Sequence, residues 1–385
     1  MNARASVYLD YNATAPVRPE AAEAVACALA IGGNPSSVHA AGRTARAAVE
    51  RARGEVASLV GVKEGSVTFT SGGTEANALA IDSAIAAGCR RPIVGLAEHA
   101  STLQNAMAHG LMVEGWPVLS SGVVDLNWLE DRLKSWPAEY GRPFVAVSLA
   151  NSETGVIQST TEAAALVRAA DGWLHVDAVQ AAGKIPVDFT LIGADTLTLS
   201  AHKLGGPHGA GALVAGTRAT LSRRLHGGGQ ERGRRAGTEN VSGIAGFGAA
   251  AVAALRDLPN FSGQAAWRDA AEIALTRDDE EIQVFGTDAP RLPSVLNFAA
   301  AGFESERQVI AMDLEGVMVS AGSACSSGKV TASQVLLAMG YGQLAGNALR
   351  VSSGWATTSD DWTRFAEVWL AIHERFRARR RASAA

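Results

Sequence analysis

Lys203 is the residue of this sequence best placed to act as a nucleophilic amine. It lies in a segment of sequence SAHKLGGP, directly after residues 195–199 (DTLTL), which predict a buried strand. A lysine at a strand end is held by rigid structure and partly removed from water, as are functional lysines that form Schiff bases. Ser200 and His202 lie beside it and offer a hydroxyl and an imidazole as phosphate-binding groups.

Three further segments place polar side chains directly after predicted strands. Asp177 and Gln180 follow one strand, and His99 follows another. A carboxylate such as Asp177 can hold the protonated nitrogen of a pyridine ring, and an imidazole such as His99 can stack on that ring. Gly73 and Thr74 lie in a turn of sequence SGGTE that opens a helix, where backbone and hydroxyl donors can approach an anion closely.

Each of these residues also has an ordinary structural interpretation. Asp177 can cap a helix, His99 can be a buried core histidine, and the glycine turn can be a helix cap formed by Thr74 and Asn77. Lys203 alone can be a solvent-exposed or structural lysine. Together, however, the residues supply an amine, a pyridinium partner, a stacking ring and a phosphate site, which is the set that pyridoxal phosphate requires.

The elements that must position these residues alternate between apolar strands and alanine-rich helices from about residue 20 to about residue 255. The predicted strands are Val67–Thr70, Ile93–Leu96, Phe144–Leu149, Trp173–Val176, Thr196–Leu199 and Ala212–Ala215. This alternation predicts an α/β fold with a mainly parallel sheet, whose active site lies at the carboxyl ends of the strands. We predict that residues 15–257 form this large domain.

A second, smaller α+β domain is predicted from residues 1–14 together with residues 258–385. Short strands are expected at Ser294–Phe298 and Val317–Ser320, and an amphipathic helix is expected at Trp362–Arg377. The N-terminal segment, which precedes the first helix, is expected to pack beside this domain.

Composition excludes several classes of function. The 385 residues are 47% hydrophobic and 19% charged with a net charge of −4, so nothing in them indicates binding to nucleic acid or to a membrane. Three cysteines cannot form a disulfide framework, which indicates a reducing compartment. The first residues lack the apolar core of a signal peptide, and no uninterrupted apolar run reaches transmembrane length. A cytoplasmic protein is therefore expected.

Two residues of the smaller domain have side chains suited to a substrate. Arg350 lies in a short predicted strand, and its planar guanidinium suits bidentate binding of a carboxylate. Cys325 lies in residues 320–328, which are mostly glycine, serine and alanine, whereas Cys27 and Cys89 belong to helical segments. Such a loop has few bulky side chains to bury a thiol and is expected to be mobile. An ordinary buried cysteine is the alternative.

The sequence as a whole resembles the cysteine desulfurases, in the class V branch of fold-type I pyridoxal phosphate enzymes. The resemblance runs nearly from end to end and rests on YLDYNAT at residues 8–14, GNPSSVH at 33–39, NSETG at 151–155, RAGTEN at 235–240 and GSACSSG at 322–328. It implies a seven-stranded type of sheet in the large domain. Residues 325–335 resemble the branch with the longer catalytic loop, which typically passes sulfur to iron–sulfur scaffold proteins.

The resemblance implies a role for each candidate residue. Lys203 would bind pyridoxal 5′-phosphate covalently, Asp177 its pyridine nitrogen and Gln180 its phenolic oxygen. His99 would stack on the ring and take part in catalysis. The phosphate would be contacted by Gly73, Thr74, Ser200, His202 and, across a dimer interface, Thr238. Substrate would be bound by Asn34, Asn151 and Arg350, and Cys325 would be the nucleophile. No metal is implied.

The implied activity is the conversion of L-cysteine to L-alanine with a persulfide on Cys325, in a homodimer that supplies sulfur to an acceptor or an iron–sulfur scaffold protein. A selenocysteine lyase and a class V aminotransferase are alternatives on the same scaffold, and an aminotransferase would not need Cys325. A non-enzymatic phosphate-binding α/β protein is a more distant alternative. It would explain the glycine turn but leave Lys203, Asp177 and His99 without a role.

Overall fold

The structure, a computed structural model, describes residues 6–277, 279, 281–322 and 331–384. Cys325 lies outside the described residues. The described chain contains two sheets of three or more strands, one of seven strands and one of four. Helices cover both sheets, so the predicted α/β fold class with a mainly parallel large sheet is confirmed. The boundary at residue 257 stays a prediction.

The seven-stranded sheet is built from short buried strands. In chain order these are β2 (Val67–Thr70), β3 (Pro92–Gly95), β4 (Glu114–Trp116), β5 (Phe144–Ser148), β6 (Trp173–Asp177), β7 (Thr196–Ser200) and β8 (Gly211–Ala215). Their spatial order is β2-β8-β7-β6-β5-β3-β4, and only β8 runs antiparallel to its neighbours. Strands β6, β7 and β8 are buried at every residue, as is expected where helices cover both faces of a parallel sheet.

Eight helices surround or flank this sheet. They are α1 (Pro19–Leu29), α2 (Ala40–Leu59), α3 (Gly73–Ala86), α4 (Ala100–Met107), α5 (Leu126–Lys134), α6 (Thr160–Ala169), α7 (Phe189–Ile192) and α8 (Val241–Phe261). Helix α8 is long and apolar enough to cross a membrane by length and composition, although the sequence pattern did not predict such a run. It packs instead on α1 and α2. A Cβ at Gly248 would lie 2.8 Å from the Cα of Ala52, so the absence of a side chain at residue 248 permits this close packing.

The second sheet is antiparallel and has its own apolar core. Its strands are β9 (Ile282–Val284), β10 (Val295–Ala300), β12 (Ser320–Ala321) and β13 (Ala348–Ser352), in the order β12-β13-β10-β9. The helices of this region are α9 (Gln264–Thr276), α10 (Ser305–Leu314), α11 (Gln334–Ala338) and α12 (Ser359–Ala384). Phe298 of β10 packs edge to face against Trp369 of α12, with ring centroids 4.9 Å apart. Burying each such ring stabilises the fold by about 1.5–3 kcal/mol.

The N-terminal segment joins this second region before it reaches the large sheet. Strand β1 (Val7–Tyr8) pairs in parallel with β11 (Val317–Met318), and Asp10 forms a bridge with Ser352. The sequence pattern predicted one strand over Val317–Ser320. The structure divides that segment, because β11 pairs with β1 whereas β12 pairs with β13. Residues 12–14 then pass over the carboxyl edge of the large sheet, where they contact Lys203 and His202.

Candidate active site

A cavity of about 250 Å³ lies at the carboxyl ends of the central strands of the large sheet. It is lined by Ala13, Gly73, Thr74, Ala97, His99, Ser101, Ser148, Ala150, Ser152, Asp177, Val179, Gln180, Ser200, His202 and Lys203. Eight of these lining residues are candidates from the sequence, and their segments are spread over more than 100 positions of the chain. They are Gly73, Thr74, His99, Asp177, Gln180, Ser200, His202 and Lys203. This is the place where the topology of an open parallel sheet is expected to put a ligand.

Lys203 ends a short 3₁₀ turn, Ala201–Lys203, that directly follows β7. Its Nζ donates to the main-chain oxygen of Ala13 at 2.8 Å and to that of Asn12. The turn that follows depends on Gly205, which has a φ of +85° and where a Cβ would lie 2.7 Å from the side chain of Arg18. Lys203 is therefore held between a rigid strand end and the N-terminal segment, with its amine at the cavity wall.

Asp177 is the last residue of β6, and both of its carboxylate oxygens are held. Oδ1 accepts from the main-chain N–H of Val179 at 2.9 Å, and Oδ2 accepts from the side-chain amide of Asn77 at 2.9 Å. The bond from Val179 forms a local turn and not the helix cap that the structural interpretation predicted, because the next helix, α7, begins only at Phe189. The bond from Asn77 comes from α3, and the two donors together stabilise a negative charge at the cavity wall.

Asn77 links Asp177 to a buried histidine. Because a carboxylate only accepts, the amide nitrogen of Asn77 faces Asp177 and its Oδ1 faces His175, 3.0 Å from Nε2. His175 Nε2 must then donate, so Nδ1 accepts from the hydroxyl of Thr196 at 2.9 Å. Burial lowers the pKa of His175 to about 4, which keeps this ring neutral. This chain of hydrogen bonds, from Asp177 through Asn77 to His175, fixes the side chain of Asp177 without adding a cation next to it.

His99 is both a helix cap and a cavity residue. Its Nδ1 accepts from the main-chain N–H of Ser101 at 3.1 Å, at the start of α4. The neutral ring therefore carries its proton on Nε2. The structural interpretation and the functional one are compatible here, because the cap fixes the ring while His99 still lines the cavity.

One end of the cavity is suited to an anion. Within the residues that the structure describes, no side chain caps the N-terminus of α3, and Gly73 and Thr74 of its first turn line the cavity. The alternative in which Asn77 caps this helix is wrong, since its side chain bonds Asp177 instead. Ser200 and His202 line the same cavity. Burial, Lys203 and His208 lower the pKa of His202 to about 4, so it acts as a neutral hydrogen-bonding group.

Four candidate residues described by the structure do not line this cavity. Asn34 is exposed, and its side chain accepts from the main-chain N–H of Ser36. Asn151 uses both ends of its amide within the fold, donating to Ala97 and accepting from the N–H groups of Glu153 and Thr154. Thr238 is exposed and lines a separate cavity. The roles predicted for these residues stay predictions.

Arg350 is the fourth of these residues, and it lies behind the cavity wall. Its Nη2 pairs with Asp10 at 2.7 Å, and its Nη1 lies 3.4 Å from the main-chain oxygen of Ser152, which lines the cavity. Its Nε is buried without a partner among the described residues. Each terminal nitrogen of the guanidinium therefore has an acceptor, and this Nε–H lies next to the Nη2 that pairs with Asp10.

Glu98, which precedes His99, is a carboxyl group that the sequence did not single out. Both of its oxygens accept bonds from Ser148, one from the main-chain N–H and one from the hydroxyl, each at 2.6 Å. Burial raises the pKa of Glu98 to about 7, and the nearby charge of Asp177 adds to the effect. The folded protein therefore holds a proton here at a pH at which an unfolded glutamate has lost it.

The raised pKa predicts how stability changes with pH. The stabilisation from the protonated Glu98 should be lost as pH rises from about 4.5 to 7, at a rate of at most about 1.4 kcal/mol per pH unit, and should change little above pH 7. Glu98→Gln can keep both contacts with Ser148, by accepting from its main-chain N–H and donating to its hydroxyl, but it does not ionise. The melting temperature of wild type relative to Glu98→Gln should therefore fall between pH 5 and pH 7.5. The exposed Glu139→Gln is the matched control, and identical pH profiles for both variants would contradict the assignment.

The sequence interpretation missed residues whose role is to hold others. Asn77, Glu98 and Ser101 belong to this group, as do Asn12 and Lys184, which contact Gln180. Asn77 carries one available signal, since it lies four residues after Gly73 and so on the same face of α3. The contacts of Asn12 with Gln180 and Lys184 cross more than 160 positions of sequence and leave no local pattern.

Comparison with known proteins gives consistent results. The profile of the family described as Aminotransferase class-V matches residues 7–365. The chain is 36% identical to cysteine desulfurase IscS of Dictyoglomus turgidum, covering 96% of this chain and 95% of that protein. It is 40% identical to a cysteine desulfurase of a Frankia species, covering 94% and 90%.

Solved structures agree with these relatives. The X-ray structure of a NifS-like protein from Rickettsia africae superimposes with a TM-score of 0.87 at 29% identity, covering 96% of this chain and 99% of that one. A structure of SspA in complex with cysteine has a TM-score of 0.75 at 26% identity, covering 90% and 98%. The family is dependent on pyridoxal phosphate in general.

Proposed function

From its membership of the class-V aminotransferase family, in which this chain is a cysteine desulfurase, we propose that it moves the sulfur of L-cysteine onto Cys325 with pyridoxal 5′-phosphate held at Lys203. The observation that carries the cofactor proposal is the donor set of one cavity. An amine, a held carboxylate, an imidazole and an uncapped helix N-terminus meet there, as the resemblance implied.

The chemistry of these residues fits pyridoxal phosphate. Gly73, Thr74, Ser200 and His202 would hold the phosphate at the N-terminus of α3. Asp177 would hold a proton at the ring nitrogen, Gln180 would donate to the phenolic oxygen, and His99 would lie against the ring. When bound, the cofactor would supply an electron sink for the electron pair left on the α-carbon of the amino acid when its proton is removed.

The chain's own groups account for the remaining steps. Lys203 Nζ, released from the cofactor by the substrate amine, would take the proton from the α-carbon. Arg350, whose Nη1 lies next to Ser152 at the cavity wall, would bind the substrate carboxylate. Asn151 would support this site by holding the loop that carries Ser152.

Cys325 would then act as the nucleophile. Its thiolate forms a bond to the substrate sulfur, the bond from that sulfur to the β-carbon breaks, and the electron pair remains on the carbon fragment. After protonation that fragment is released as L-alanine. One cysteine thiol and one L-cysteine thus give one persulfide and one L-alanine, so no external oxidant is required.

The experiment that tests this function measures both products. The purified protein, supplied with pyridoxal 5′-phosphate and L-cysteine, should release L-alanine and carry a persulfide. Alanine formation only in the presence of a 2-oxo acid would indicate transamination instead, and turnover only with selenocysteine would indicate a lyase. The expected physiological acceptor is a cytoplasmic sulfur-accepting or iron–sulfur scaffold protein, which transfer assays with labelled sulfur would identify.

We also propose that the active form is a homodimer in which Thr238 of one subunit completes the phosphate site of the other. Thr238 is exposed and does not line the cavity of its own chain. A segment beside that cavity also exposes Leu96, Leu103, Met107 and Met112, an apolar surface of the kind that subunit interfaces cover.

Mixing two damaged subunits tests this arrangement. Lys203→Ala and Thr238→Ala homodimers should each have little activity. If Thr238 acts across the interface, a heterodimer contains one site with both residues intact, so an equimolar mixture should regain about a quarter of wild-type activity. Subunit exchange without any recovery would show that Thr238 serves its own subunit, and a fully active monomer would contradict the dimer.

A further inference from the structure

Lys184 is a buried lysine that the proposed reaction does not use. It is 6% exposed, and no carboxylate pairs with it among the residues that the structure describes. Its Nζ donates to the side-chain oxygen of Asn12 at 2.7 Å and to the side-chain oxygen of Gln180 at 2.9 Å. Burial and the charges of Lys203 and Arg350 hold the pKa of Lys184 well below its usual value. A primary amine retains two N–H donors in either protonation state, so both bonds survive.

Two bonds set which end of the Gln180 amide reaches the cavity. The main-chain oxygen of Asn12 can only accept, so the atom of Gln180 that faces it at 2.9 Å is Nε2, which donates one N–H to it. Oε1 therefore faces Lys184 and accepts from its Nζ at 2.9 Å. Because Gln180 lines the cavity, its second N–H remains for a ligand there. A reversed amide would present an oxygen to the cavity instead and would repel an anionic oxygen.

The bond from Lys184 to Asn12 also affects the position of Lys203. The main-chain oxygen of Asn12 accepts from both Lys203 Nζ and Gln180 Nε2, while its side-chain amide is fixed by Lys184 at one end and by the oxygen of Ser152 at the other. A single buried amine thus holds the residue against which both Lys203 and Gln180 are placed. Removing it leaves two buried amide oxygens without a donor.

We propose that Lys184 is a positioning residue that fixes Asn12 and orients the amide of Gln180, so that the cavity offers a hydrogen-bond donor to the phenolic oxygen of the cofactor. This inference rests on the proposed function, because it assumes pyridoxal phosphate at Lys203. It assigns to Lys184 no contact with cofactor or substrate. A merely space-filling lysine would affect stability but not the electronic state of the bound cofactor.

The test compares Lys184→Met with wild type by titration of the cofactor-free protein with pyridoxal 5′-phosphate. Loss of the oriented donor should raise the dissociation constant about tenfold. A donor to the phenolic oxygen stabilises its anionic form, so without it the pH-dependent change in absorbance of the bound cofactor should move to higher pH by about one unit. Lys63→Met, at an exposed lysine, is the matched control and should change neither quantity.

A double-mutant comparison separates orientation from folding. Gln180→Met removes the oriented amide, so Gln180→Met/Lys184→Met should bind the cofactor less than about tenfold more weakly than Gln180→Met alone. This comparison applies even if Lys184→Met by itself does not fold, because the double variant orphans one buried oxygen, that of Asn12, rather than two. An unchanged absorbance profile in folded Lys184→Met, or additive losses in the double variant, would overturn the inference. Failure of wild type to take up the cofactor would instead overturn the proposed function, and the inference with it.

Discussion

Lys203→Ala should abolish turnover of L-cysteine, with a loss of several orders of magnitude. The variant loses two proposed functions of Lys203, because Nζ both anchors the cofactor and takes the proton from the α-carbon. The phosphate donors, Asp177 and His99 remain in the cavity, so the variant should still bind pyridoxal 5′-phosphate, although without a covalent bond. The measurement is L-alanine release together with the absorbance of the bound cofactor.

The site of attachment provides an independent check of this assignment. Borohydride reduction of the wild-type protein followed by mass spectrometry should place the cofactor on Lys203. Lys184 is the critical comparison, since it is a second buried amine near Gln180, but its Nζ is occupied by Asn12 and Gln180. A cofactor found on Lys184, or a Lys203→Ala variant that retains the covalent adduct, would refute the role given to Lys203.

Cys325→Ser should separate the chemistry of sulfur from that of the cofactor. The variant should bind pyridoxal 5′-phosphate as wild type does, because no cofactor contact is assigned to this residue. It should also bind L-cysteine, because Arg350, Asn151 and Lys203 are intact. It should fail to release L-alanine, since a serine hydroxyl is far less nucleophilic toward sulfur and cannot hold a persulfide. The measurements are L-alanine release and the change in cofactor absorbance when L-cysteine is added.

Cys27 and Cys89 serve as controls for the role given to the thiol of Cys325. Cys89 is buried, and burial raises its pKa to about 11, so it is a poor source of thiolate. Cys27 is exposed on α1, a helix that contributes no residue to the cavity lining. Serine at either position should leave activity almost unchanged. The proposed mechanism would be contradicted by a persulfide on Cys27 or Cys89. It would also be contradicted if Cys325→Ser formed L-alanine at the wild-type rate.

The sequence alone determined the class of fold and most of the cavity. Buried strands of the large sheet are short and apolar, and each candidate residue that lines the cavity lies at or soon after the end of one of them. The pattern that predicts a strand therefore also predicts where its polar end lies. Asp177, His99 and Lys203 could be identified for this reason. The ends of the six strands predicted in the large sheet were placed within one residue, because strands buried on both faces have few polar positions that obscure their limits, whereas β4 was not predicted.

Only the tertiary structure decided how these side chains are held. Asn77 reaches Asp177 across 100 positions, and Lys184 reaches Asn12 across 172. The spacing from Gly73 puts Asn77 on the same face of α3 but does not distinguish it from a helix cap, and nothing near Lys184 distinguishes it from an ordinary surface lysine. The orientation of an amide is likewise absent from a sequence, because it depends on which neighbouring atoms donate and which accept. Local pattern therefore identified the groups that react, and long-range contacts determined the atoms that each of them presents.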